Sequence, residues 1–173
     1  MRGERYLTFN PGVVLGGTEV AFDSLEVRGT AAGKLNVIAP TAATTGDLRF
    51  ISEPQKRRAR ERMRAVVARH LPGTSAEISF LDDTPAMEPK PGNYALLKEL
   101  DRVSRAIGAG PVGAQDPGSR GAGDISFVAG LAAALDGLGT YGGGDHTPGE
   151  YMNLKRMPML TLRAALLIYR LTR

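Results

Sequence analysis

The 173-residue chain has no cysteine and no tryptophan, only five tyrosines and five phenylalanines, and two histidines. Without cysteine it has no disulfide, no thiolate nucleophile and no sulfur-ligated metal site. That absence does not fix a compartment, because many exported proteins lack cysteine too. Imidazole chemistry has two candidates, His70 and His146. Long apolar runs are also missing. The stretch 157–169 is interrupted by Pro158 and Arg163, well short of the roughly 20 apolar residues that span a bilayer. Residues 1–5 are not followed by the apolar core of a signal peptide. The pattern GxxxxGK[ST] is absent, which argues against a phosphate-loop nucleotide enzyme.

What is present is 42% hydrophobic and 23% charged, enough for one compact domain or two small ones. The formal charge of +4 arises from 22 basic and 18 acidic residues, and its placement is uneven. Between Glu53 and His70 stand Lys56, Arg57, Arg58, Arg60, Arg62, Arg64 and Arg69 against only Glu53 and Glu61. Glycine is uneven as well, with 13 of the 22 between Gly108 and Gly149. Such density belongs to loops that turn tightly or let a ligand approach the backbone.

The first third reads as strands and turns. Residues 6–14 are β-prone but interrupted by Pro11-Gly12, residues 19–27 form an irregular second strand, and residues 36–39 and 41–51 continue the sheet. Ser52 is placed to cap a helix that begins with Glu53 and Pro54. In it Ala59, Met63, Val66, Val67 and His70 recur at helical spacing until Leu71-Pro72-Gly73. Residues 76–81 alternate and close a small α+β unit. The prolines of residues 83–92 mark a linker, which divides the chain into 1–82 and 93–173. Beyond the linker, Asn93 caps a helix with Leu97, Leu100, Val103 and Ile107 inward. A strand near Val112, a helix over 124–134, a strand over 135–138 and a terminal helix from Met157 to Leu171 follow. Alternating helix and strand is the pattern of an α/β layer.

Three stretches can carry chemistry. Gly142 to Glu150, GGGDHTPGE, presents one imidazole from a glycine-rich loop beside Asp145, suited to a metal ligand, a proton-transfer group or a solvated turn. A catalytic zinc site takes about three protein ligands, and only this histidine is well placed. Ser119 to Ser126, SRGAGDIS, runs a glycine turn with Arg120 into a helix start, which suits a carboxylate or phosphate. Asp124 is equally an ordinary first-turn residue. The basic helix 53–70 offers phosphate contacts or simply a solvated face. No aromatic residue is interleaved with its arginines, which weakens a stacking platform for nucleic acid.

Taken together, four blocks resemble the C-terminal part of the zinc-dependent metallopeptidases and amidohydrolases of the carboxypeptidase G, aminoacylase and acetylornithine deacetylase type, the glutamate carboxypeptidase-like family. They are LTFNPGVVLGGT, GKLNVIAPTAATTGDLRF, RGAGDISF and LDGLGTYGGGDHTPGEYMNL, in family order. The resemblance implies an α+β lid, an incomplete ferredoxin-like dimerisation domain, over residues 1–82, and an α/β part of the catalytic domain over 93–173. It implies that His146 is a zinc ligand and that Asn36, Arg49, Arg120, Gly121 and Gly123 bind substrate, with the lid residues often reaching across a dimer. The substrate implied is a peptide or N-acyl amino acid with a C-terminal carboxylate, which a guanidinium grips in a fork. Family members use two zinc ions and a glutamate base. By the same resemblance the HxD motif, the bridging aspartate, the paired glutamates and a further carboxylate ligand precede this stretch. The chain then holds no catalytic residue, at most one partial zinc site, and no hydrolytic activity alone. Asp145 and Gly149 depart from the family pattern around the histidine, and Asp145 is positioned to orient the imidazole. A homodimer or an N-terminal half is the implied partner, in the cytoplasm or an exported, periplasmic space. Two readings from other classes stand beside this one: a non-catalytic dimerisation or interaction module that uses an exposed sheet edge, and nucleic-acid binding through helix 53–70.

Overall fold

A computed structural model describes residues 3–119, 121–139 and 141–173. The chain divides into two units, Met1–Ser79 and Phe80–Arg173. In the first, β1 (Thr8–Gly17) pairs antiparallel with β4 (Thr41–Arg49), from Thr8 opposite Arg49 to Gly17 opposite Thr41. Pro11-Gly12 does not end the strand. Proline has no N–H to give a ladder, and the register shifts between Pro11 and Val13, so the chain passes this point as a bulge. Opposite Pro11 stands Gly46, where a Cβ would collide with the Asn10 carbonyl oxygen. The two backbones meet there because Gly46 has no side chain to hold them apart.

Between these strands lies a second hairpin, β2 (Glu19–Asp23) with β3 (Arg28–Ala32). Its turn is fastened by the Asp23 carboxylate, which accepts the N–H groups of Leu25 at 2.9 Å and Glu26 at 3.1 Å, the local bonding that makes aspartate a turn residue. β3 has the sequence RGTAA and is exposed along its length, so no hydrophobic alternation announces it. The strand expected at residues 36–39 is instead loop. The Val37 N–H donates to the Lys34 carbonyl in a tight turn, and Leu35 and Ile38 stand fully exposed.

α1 (Glu53–Val67) begins as its sequence dictates: Ser52 accepts the Gln55 N–H, and Glu53 and Pro54 form the first turn. Ala59 is fully buried and Met63 and Val67 are half-buried, while Val66 is exposed. Gln55, also buried, holds two distant segments. Its Oε1 accepts the Ile51 N–H at 2.9 Å and its Nε2 donates to the Arg5 carbonyl at 3.0 Å. Both ends of a buried amide are thereby satisfied, and the chain's beginning is fixed to the start of α1. The strand expected over residues 76–81 does not form. Ile78 and Phe80 are half-buried, but alternation supplies a face and not a ladder partner.

In the second unit, α2 (Pro91–Ala106) starts from Lys90, with Pro91 at its first position. Asn93, expected to cap it, lies inside the first turn, and Pro91 and Gly92 of the expected linker are already helical. Leu100 and Val103 are buried, and α2 packs on α3 (Met157–Leu171), which buries Leu160 and Leu167. Glu99 ties the pair, accepting from Arg102 at 3.0 Å on its own helix and from Arg170 at 3.1 Å on α3. Those guanidinium bonds, Arg102 first, hold the Glu99 carboxyl below its usual range. Two residues on, Asp101 accepts the Val112 N–H at 2.8 Å and pairs with Arg105 at 2.9 Å. The backbone donor and then the arginine lower its pKa. The strand expected at Val112 is therefore replaced, because its N–H is spent on a carboxylate. The helix expected over 124–134 shrinks to a 3-10 turn, Asp124–Phe127, followed by further turns. Residues 135–138 form no strand, and Gly137 there has φ of +75°. Among the described residues the unit's one ladder is the short antiparallel pair β5 (Gly142–Gly143) and β6 (Tyr151–Met152).

Candidate functional site around His146

β5 and β6 carry the loop that holds His146. Below the ladder the Asn153 N–H donates to the Tyr141 carbonyl at 2.7 Å, and the Arg156 guanidinium lies 4.2 Å above the centre of the Tyr141 ring. Above it, the Gly144 carbonyl accepts both the N–H of Thr147 at 3.0 Å and its hydroxyl at 2.7 Å. The same hydroxyl oxygen accepts the Gly149 N–H at 3.3 Å, and the Thr147 carbonyl accepts the Glu150 N–H at 3.1 Å. The threonine of HTPGE thus organises the loop around itself.

His146 has φ of +63°. The left-handed region costs an L-residue roughly 1–2 kcal/mol, and histidine enters it more readily than most residues. The Glu150 carboxylate holds it there, with Oε2 3.4 Å from the His146 N–H. Glu150 was part of the sequence motif, but its hold on the histidine backbone was not legible in the spacing. Both His146 and Asp145 are exposed. A carboxylate that bonds the histidine backbone orients the residue without using the ring nitrogens, which leaves the imidazole to act as donor, acceptor or ligand.

No group of three or more His, Asp or Glu side chains converges anywhere among the described residues. The residues beside His146 are one imidazole, one neighbouring carboxylate and a second carboxylate engaged with backbone. They do not by themselves fit a catalytic zinc, which takes about three protein ligands and an open position. The other histidine, His70, sits exposed just past α1, its Nδ1 3.2 Å from the Leu71 carbonyl oxygen.

The residues expected on the substrate side are spread over both units. Asn36 lies exposed in the loop before β4, and Arg49 ends that strand, its Nε 2.8 Å from Asp47. Arg49 is the last of the nine residues of β4, and Asn36 precedes the first of them in a loop. In the second unit Gly121 is exposed and Gly123 precedes the 3-10 turn in an extended conformation; Arg120 lies outside the described residues. The Asp136 carboxylate stands against Gly123, where a Cβ would strike its Oδ2. A short 3-10 turn has little of the helix dipole that would draw an anion to this position, and a carboxylate faces the turn.

Comparison with family models, with curated proteins and with solved structures gives no match.

Proposed function

We propose that this chain is the C-terminal portion of a zinc-dependent metallopeptidase or amidohydrolase of the carboxypeptidase G, aminoacylase and acetylornithine deacetylase type. The parent reaction is cleavage of a peptide or N-acyl amino acid at a C-terminal carboxylate. His146 is its one zinc ligand here, with Asn36, Arg49, Arg120, Gly121 and Gly123 on the substrate side. The observation that carries the reading is the presentation of His146: a left-handed residue at the tip of a hairpin loop, its backbone held by Glu150 and its ring exposed. Residues held in sparsely populated backbone regions concentrate at functional sites. No hydrolytic step is assigned to this chain, and the reading takes it as inactive alone.

The chain's two histidines make the test simple. Zinc is titrated into the protein while both imidazole resonances are followed by NMR, and hydrolysis of a panel of N-acyl amino acids is measured alongside. The expected result is a zinc-dependent shift of His146 alone, lost in His146→Ala, with no turnover. Equal response of His70, or none from either ring, overturns the assignment of His146. Zinc-dependent turnover that His146→Ala abolishes overturns the claim of inactivity.

A further inference from the structure

The first unit carries the chain's whole excess charge, holding 12 of the 22 basic and 8 of the 18 acidic residues. Most of the surplus lies on α1. Arg57, Arg60 and Arg64 recur at i, i+3 and i+7 as one stripe, and Arg58 and Arg62 at i and i+4 as another. On the second stripe the Glu4 carboxylate lies 3.0 Å from Arg58 and 3.5 Å from Arg62. Arg58, then Gln55, lowers the Glu4 pKa, so this internal counter-ion stays charged.

No aromatic residue stands among these arginines in sequence, but the fold sets two rings at the start of their helix. The Gln55 amide bonds Arg5 on one side and Ile51 on the other, which brings the neighbours of those residues, Tyr6 and Phe50, to the start of α1. Each ring carries a cation: the Arg5 guanidinium lies 4.6 Å from the Tyr6 centroid, and Lys56 Nζ 5.3 Å from that of Phe50. A run of cations with aromatic rings at its end is the combination that holds a sugar-phosphate backbone and stacks bases without reading their sequence.

We propose that this face binds single-stranded nucleic acid, with the α1 arginines on the phosphates, Tyr6 and Phe50 against bases, and Glu4 as the internal anion that a phosphate displaces from Arg58 and Arg62. The rings decide for nucleic acid over an acidic polypeptide, which would use the arginines alone. The proposal is independent of the metallopeptidase reading.

The test is fluorescence anisotropy with a labelled oligothymidylate of about twelve nucleotides, started near 50 mM salt and titrated upward. Circular dichroism and a thermal melt confirm that each variant folds. Affinity falls with salt, and the double variant Arg57→Ala/Arg64→Ala loosens binding and flattens the log–log salt slope by about 1.4, at roughly 0.7 per phosphate contact on a single strand. Glu4→Gln tightens binding and steepens the slope. Phe50→Leu weakens it about fivefold or more at an unchanged slope, as loss of one stacked base requires. Three results each overturn the proposal: no binding at the lowest salt, a double variant that binds like the parent, or polyglutamate that competes as well as unlabelled oligonucleotide. A duplex of the same length that binds as tightly overturns the single-strand assignment.

Discussion

Asp101 shows how one carboxylate redirects a segment. By taking the Val112 N–H and the Arg105 guanidinium it fixes the segment at Val112, where a strand is expected, as an anchored loop, and both bonds favour its charged form. The folded chain therefore holds its proton less readily than the unfolded one, so the unfolded chain gains protons first as pH falls. The stabilisation is complete above the ordinary aspartate range near pH 4 and is lost as pH drops through the lowered folded value. Asp101→Asn is expected to lower the thermal midpoint at neutral pH and to flatten its decline between about pH 5 and pH 2.5. Melts across that range check this, and parallel curves for parent and variant would refute it. Some decline persists in the variant, because Glu4 and Glu99 are lowered in the same direction. His146 was readable as a presented residue from its glycines, Thr147 and Pro148. Its left-handed backbone and its bond to Glu150 were not, since both depend on where a loop closes. The place of Tyr6 beside α1 was hidden for a similar reason: Gln55 reaches Arg5, 50 positions away.

At the level of elements, sequence was most informative where a signal is local. α1 starts where Ser52, Glu53 and Pro54 place it, and α3 spans Met157–Leu171 with Leu160 and Leu167 inward, because caps and helical periodicity need no partner. Strands need one, and most of the unmet expectations are strands, although the helix expected over 124–134 also shrinks to a 3-10 turn and Asn93 lies inside α2 rather than capping it. Residues 76–81 and 135–138 have the composition of strands and no ladder, while β3 has a ladder and little apolar pattern. Proline's missing donor argued for a break at Pro11, and the paired strand absorbed it as a bulge. That accommodation depends on Gly46, whose missing side chain admits the Asn10 carbonyl. Gly46→Ala is expected to destabilise the first unit by about 2 kcal/mol, as overpacking against backbone does. A lower urea midpoint at unchanged slope would confirm it, and a midpoint equal to the parent's would refute it.

For the molecule as a whole, area is informative. The chain exposes 12961 Å², whereas two separate compact units of half its 18.4 kDa each would together expose about 9,900 Å². Leu25, Leu35, Ile38, Leu81 and Leu131 are among the side chains left in water. Folding removes only about half of the unfolded chain's surface, against roughly 70% for a domain of this size. Because denaturant sensitivity scales with the area exposed on unfolding, the urea slope is expected about a quarter below the norm for this length. Equilibrium unfolding measures it, and a slope at the norm for this length would refute it. The order of the strands in the first unit has a consequence of another kind, in time. The β2–β3 hairpin lies wholly inside the span that β1 and β4 must close, and its short turn at Asp23 needs no distant partner. Once Glu19 has met Ala32, the loop between Gly17 and Thr41 shortens from 23 residues to about ten, which lowers the closure cost by about 0.7 kcal/mol and speeds the outer pairing roughly threefold. Closure cost thus favours forming the inner ladder before the outer one, with the Asp23 turn at the innermost point of the nest.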